Sequence, residues 1–150
     1  MTAEDSTFTL EFPYKRSLGP VVGQFLTGLR DARFVGVRSA SGRVLVPPLE
    51  YDPETGDATG ELVEVGVAGV IEEWAWVSEP LRIHPLERPF AWVLVRLDGA
   101  DTALLHALDV SSPDQVQRGA RVRARWRTER RGHITDLECF ELIDDEPAER

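Results

Sequence analysis

From residue 62 onward, apolar and polar positions alternate with a period of two. Val63, Val65, Val67, Ile71, Ala75 and Val77 fall in one phase, which predicts a long strand that Gly66 and Gly69 allow to bend. The run at 90–97, FAWVLVRL, is apolar in both phases, as in a strand covered on both faces. Asp98-Gly99 predicts a turn, and residues 102–108 a third strand. Ser111-Ser112-Pro113-Asp114 predicts a short helix or turn that closes near Gly119. A fourth strand follows at 120–128. After a turn at Arg131-Gly132, a fifth occupies 134–142.

Upstream the period changes. Val21, Val22, Phe25, Leu26 and Leu29 form one stripe of a helix that begins at Pro20, a residue tolerated in a first turn. The stripe either packs on the chain's own barrel or meets a partner. Phe8, Leu10 and Phe12 alternate with polar residues, as in an extended arm laid on the barrel or on another protein. Five strands with a helical link between the third and fourth is the plan of an OB-fold. The expected fold is mainly β: a five-stranded OB-fold barrel preceded by an N-terminal helix and a metal-free zinc-ribbon-like segment. The expected divisions are arm and helix at 1–33, ribbon-like segment at 34–60, barrel at 61–142 and acidic tail at 143–150.

The ribbon outline lies in FVGVRSASGRVLVPPLEYDPETGDATG, residues 34–60, where two tight turns flank a short strand and a Pro-Pro corner. A zinc ribbon clamps its ion with two C-x-x-C turns, because two thiolates from each complete a closed tetrahedral site. Here Arg38 and Ser41 occupy the first spacing and Asp52 and Thr55 the second, followed by Gly42 and Gly56. No thiolate or imidazole is offered, so zinc is not expected. An Arg38–Asp52 contact, with the hydroxyls of Ser41 and Thr55 nearby, is a candidate replacement for the coordination bonds. Both residues as solvated turn positions is the alternative.

The ordered set Gly36-Val37-Arg38, Gly42-Arg43-Val44-Leu45-Val46-Pro47-Pro48 and Gly56, with barrel segments behind it, resembles the zinc-ribbon/OB-fold acyl-CoA-associated family, domain of unknown function 35. The resemblance covers about residues 18–142 and departs from the family in lacking all four cysteines. It implies a partner subunit that assembles with a thiolase-fold protein, similar to the partners of aldolases that shorten steroid side chains. Such a chain stabilises the larger subunit and helps shape its acyl-CoA entrance, while the carbon–carbon chemistry belongs to the partner. N-terminal helices in that family also contact the larger subunit.

Composition narrows the field. At 150 residues the chain makes one domain with a small appendage. A net charge of −9 argues against a general nucleic-acid binder, since phosphate neutralisation supplies most of that affinity. The single cysteine, Cys139, excludes an internal disulfide and suits a reducing compartment. No apolar run reaches the length of a membrane span, and the first residues carry no leader-like pattern, so a cytoplasmic protein is expected.

One face of the fourth strand carries Arg121, Arg123, Arg125 and Arg127, with Val122, Ala124 and Trp126 on the other. That row suits the phosphates of coenzyme A, an acidic partner or single-stranded nucleic acid. Equally, it suits an outer face paired with this chain's surplus carboxylates. Trp74 and Trp76 lie out of phase with the valines of their strand and read as interface anchors, whereas Trp92 and Trp126 read as core. His84, His106 and His133 match no metal spacing. His106 shares the phase of Leu104 and Leu108, as a buried, hydrogen-bonded histidine would. Cys139 reads as an inert thiol, and Glu72-Glu73 point to opposite faces. No catalytic constellation emerges. The two readings are a non-catalytic partner of a thiolase-fold acyl-CoA enzyme and a stand-alone OB module for single-stranded nucleic acid.

Overall fold

The computed structural model describes residues 9–15 and 17–144. Helix α1 (Gly19–Arg30) is followed by β1 (Phe34–Arg38), β2 (Val44–Leu45) and β3 (Leu62–Val65), which form a three-stranded sheet in the order β2-β1-β3. Strands β4 (Ala68–Val77), β5 (Phe90–Leu97), β6 (Leu104–Leu108), β7 (Arg121–Trp126) and β8 (Leu137–Leu142) close a barrel in the order β4-β5-β6-β8-β7. Only β6 and β8 pair in parallel, at Leu108 and Phe140. A single 3-10 turn at Pro113–Gln115, capped by Ser112, links β6 to β7. This is the five-stranded OB plan expected from the alternation.

The strand expected from residue 62 is two strands. Gly66 donates its amide to the Asp98 carbonyl, and there the chain passes from the ribbon sheet into the barrel. Leu62–Val65 pairs with β1. Further along, a bulge between Ile71 and Glu73 shifts the register of β4 against β5. Beyond it, Trp74 and Trp76 face Val93 and Ala91, both core residues. An inserted residue exchanges the two faces of a strand. Trp76 accordingly packs against the core instead of serving as an outer anchor. Trp74 stays 37% exposed.

The core runs without a break from helix to barrel. Phe25 and Leu29 of α1, Phe34 of β1, Val44 and Val46 beside the Pro-Pro corner, and Phe140 and Leu137 of β8 belong to one buried cluster. Phe34 sits 5.0 Å from the Trp126 ring and 6.2 Å from that of Phe140, centroid to centroid. The helix stripe therefore packs on its own chain. Burying such side chains contributes on the order of 2 kcal/mol each, the usual scale for aliphatic and aromatic residues. Leu10, Phe12 and Tyr14 lie in an exposed arm that forms no strand among the described residues. Phe8 and the tail residues 145–150 lie outside the described residues.

The ribbon keeps its two turns. Gly42 and Gly56 have φ of +88° and +75°, the left-handed conformation that glycine adopts without a Cβ penalty. Arg38 and Asp52 do not meet. The Arg38 guanidinium donates to the Gly42 carbonyl at 3.1 Å and lies 3.9 Å from Glu61. Asp52 is 1% exposed and turns inward, accepting from the Glu54 amide at 2.8 Å and from the Ser41 hydroxyl at 3.5 Å. Ser41 in turn shares a 2.8 Å hydrogen bond with Ser39. A short carboxylate reaches the local amides and hydroxyls at no cost to the turn, whereas a guanidinium that enters this space must shed its water. Thr55 accepts from the Asp57 amide, away from the other three. A guanidinium turned outward, two hydroxyls and one carboxylate do not fit zinc, which takes thiolate, imidazole or several carboxylates.

Barrel contacts also hold the ribbon. The Asp101 carboxylate accepts from the Val44 amide at 2.8 Å, and the Thr102 hydroxyl both accepts from the Val46 amide and donates to its carbonyl. These polar clasps fix β2 to the turn between β5 and β6.

Candidate functional site

The arginine row of β7 projects outward as its phase requires, with Val122 buried behind it and Ala124 and Trp126 packed on the core. Arg121 grips Asp98 through two bonds of 2.7 Å. Arg123 reaches Glu141 at 2.8 Å. Arg125 bridges Asp109, Glu138 and Glu141 at 2.8, 2.7 and 3.5 Å. Arg88 approaches Asp109 from the other side. Burial works against charge on both Arg125 and Asp109, yet hydrogen bonds prevail: those from Arg88 and then Arg125 hold the Asp109 carboxyl below its ordinary pKa, and those to Asp109 and Glu138 hold the Arg125 guanidinium above its own. Three of the four arginines are thus engaged by this chain's own carboxylates. Glu138 and Glu141 come from the neighbouring β8, Asp109 follows the end of β6, and Asp98 lies in the turn after β5.

Arg127 differs. A bulge at Arg125/Trp126 ends the regular ladder, and Arg127 donates its Nε proton to the Thr135 carbonyl at 2.8 Å. It has no ion-pair partner among the described residues, and neither do Arg130 and Arg131 on the same turn. Arg130 is anchored to the Arg30 and Arg127 carbonyls. Asp136, 2% exposed, knots this turn by accepting from the amides of Arg131, Gly132 and His133 at 3.0, 2.7 and 3.1 Å. Burial opposes its charge, but those three amides outweigh it and keep the carboxyl below its ordinary pKa.

Beside Arg127 opens a cavity of about 370 Å³, lined by Ile83, His84, Trp92, Leu105, His106 and Ile134 with their neighbours. Its walls are largely apolar and its polar groups are few, the usual make-up of a small-molecule pocket. His84 accepts from the Leu81 amide at Nδ1, 3.1 Å, which leaves Nε2 as the protonated nitrogen of the neutral ring. Its ring stands edge-on to Phe90 and Trp92. His106 is 5% exposed, and its Nδ1 is fully buried with no hydrogen-bond partner among the described residues. Its burial agrees with the strand phase; the hydrogen bond expected for it is missing. Such an orphan costs about 1–3 kcal/mol. Burial first, with the nearby Arg127 charge adding to it, outweighs the opposing pull of the Ala107 backbone and lowers the His106 pKa to about 4, so the ring is neutral near pH 7.

An adjoining hollow is lined by Trp74, Ala75, Trp92, Leu94 and Leu105. Trp92 and Leu105 are common to both, so one apolar surface spans β4, β5 and β6. Leu105 and Ile83, 56% and 86% exposed, lie together on this surface, and it is their contiguity that marks it. Of this surface the sequence disclosed Trp74, read as an interface anchor, but not its continuation over Ile83, Trp92 and Leu105, although Leu105 is an apolar residue on the outward phase of β6.

Cys139 is fully buried, and desolvation pushes its thiol up to about 12, too high for a nucleophile. His133 caps the 3-10 turn before β8, accepting from Thr135. No described cluster of three or more metal-ligating side chains exists, and no described helix is long and apolar enough to cross a membrane.

Comparison with known proteins places the barrel. Residues 62–127 match the family described as ChsH2, C-terminal OB-fold domain. The DUF35 resemblance read from the ribbon residues is borne out. The solved structure of an Ltp2-ChsH2(DUF35) aldolase contains a chain 20% identical to this one, with a TM-score of 0.63 over 85% of this chain and 98% of that one. A DUF35-family protein of unknown function from Sulfolobus solfataricus is 18% identical, with a TM-score of 0.61 over 84% and 85% of the two chains. At these identities the likeness is one of fold, and it extends through the ribbon and helix as well as the barrel. Among curated proteins none matches the sequence.

Proposed function

We propose that this chain is a non-catalytic accessory subunit of a larger enzyme, and that the enzyme is a thiolase-fold protein acting on acyl-CoA thioesters. The observation that carries this reading is the exposed apolar surface around Trp74, Ile83 and Leu105, on a barrel that holds no catalytic constellation among its described residues. Similarity to the DUF35 chain of an aldolase supports the accessory role. The thiolase-fold partner, and the steroid or lipid substrates it would process, come from the family resemblance. Surface of this kind suits a partner that supplies matching apolar side chains, and the exposed arm with Leu10, Phe12 and Tyr14 adds reach.

Any share in an acyl-CoA entrance falls to the turn after β7. Arg121, Arg123 and Arg125 are already paired, so contact with coenzyme A phosphates would rest on Arg127, Arg130 and Arg131. The direct test is affinity capture of the tagged chain from its native lysate, with mass spectrometry of what is retained. A stoichiometric thiolase-fold protein is expected. A chain that elutes alone overturns the proposal.

A further inference from the structure

The cavity beside Arg127 combines features that a partner surface alone does not require. Its floor holds His106, a nine-tenths buried side chain whose Nδ1 has no partner among the described residues. Its wall holds Arg127, with one nitrogen spent on the Thr135 carbonyl and no ion-pair partner among those residues, although Glu129 and Glu138 share an adjoining hollow with it. His84 presents a second imidazole, its tautomer set by the Leu81 amide. Trp92, Leu105, Ile83, Ile134 and Leu137 supply the rest. Apolar walls ending in one guanidinium that has no ion-pair partner among the described residues match a molecule with an apolar body and an anionic head.

We propose that this cavity is a binding site for a small amphipathic carboxylate, with the acid group on Arg127 and the hydrocarbon against Trp92 and Leu105. A carboxylate is favoured over a neutral polar head because Arg127 is the one charged group in the lining. Its planar fork pairs bidentately with a carboxylate. The volume, about 370 Å³, lies within the range of small-ligand pockets. His106 lines the floor with its ring, its Nδ1 being buried. All of its lining belongs to this chain, and it shares Ile83, Trp92 and Leu105 with the surface proposed for the partner, so the free chain is the form in which it is tested.

The test uses the purified full chain with sodium octanoate as probe and 1-octanol as its uncharged counterpart. Isothermal titration calorimetry and the NMR signals of the histidine rings are the readouts. Saturable binding is expected in the sub-millimolar range, with the His106 ring signals moving along the same isotherm. Octanol and the variant Arg127→Met are each expected to weaken binding about ten-fold, a loss of about 1.4 kcal/mol. Arg127→Lys keeps the charge but not the fork, and its affinity is expected to fall between those of the natural chain and Arg127→Met. Arg127 is exposed, so neither substitution threatens the fold. Equal affinity for octanol and octanoate, indifference to Arg127→Met, shifts at His133 without His106, or no saturation at all would each overturn the proposal. Loss of the partner in the capture experiment with octanoate binding intact would overturn only the accessory-subunit reading.

Discussion

His106 concentrates the unusual chemistry of this molecule in one side chain. In the unfolded chain its pKa returns to the ordinary 6.5, while in the fold burial holds it at about 4. Between those values the unfolded chain binds the extra proton. The stability contributed by the neutral ring is therefore complete above pH 6.5 and is lost as the pH falls toward 4. The gap amounts to about 3 kcal/mol. Urea unfolding at pH 7 and pH 4.5 is expected to show that loss, and His106→Leu is expected to flatten the slope between pH 4 and 6.5. A variant with an unchanged slope would remove His106 as its source. Strand phase revealed the burial of this residue, since Leu104 and Leu108 flank it at period two. Its missing partner was not legible, because Arg127 and the cavity come from elements far along the chain. Arg38 and Asp52 teach the same lesson. Their spacing is visible in the sequence, but which of the two turns inward depends on desolvation and on the nearby amides.

The helix and ribbon are where element-scale packing substitutes for metal. A structural zinc contributes on the order of 10 kcal/mol in isolated small modules. Here Phe34 is packed between Trp126 and Phe140, and Asp101 and Thr102 clasp β2 to the barrel. Leu29 of α1 is wholly buried in the same cluster. Leu29→Ala is expected to cost about 3 kcal/mol and to lower the melting temperature by roughly 6–12 °C in one cooperative transition. Separate melting of a helix-and-ribbon unit would contradict a shared core. A strong chelator is expected to leave the melting temperature of the purified chain unchanged, and a fall would contradict a ribbon held by packing alone. Alternation along the chain disclosed the strands of the barrel and the apolar stripe of the helix. It misread Trp76, which packs on the core beyond the bulge after Ile71, while Trp74 stays exposed. A period-two reading has no means to register one extra residue within a run of apolar ones.

At the scale of the whole molecule, a chain of net charge −9 presents a row of arginines that is largely neutralised from within. What it offers the outside is an apolar surface across β4, β5 and β6, an exposed arm, and a corner of three arginines after β7. The five-stranded plan was readable because turns and alternation are local; the surface as a whole was not, because it is assembled from three strands and the loop before β5. The central claim is that this surface seats a larger enzyme subunit. Its most direct test is parallel capture from native lysate with the natural chain and with a Leu105→Asp variant, scored by the stoichiometry of the retained protein. Leu105 is exposed, so the variant is expected to fold as the natural chain does. The account predicts one thiolase-fold protein retained in stoichiometric amount by the natural chain and lost from the variant; an equal yield with both chains, or none with either, would contradict it.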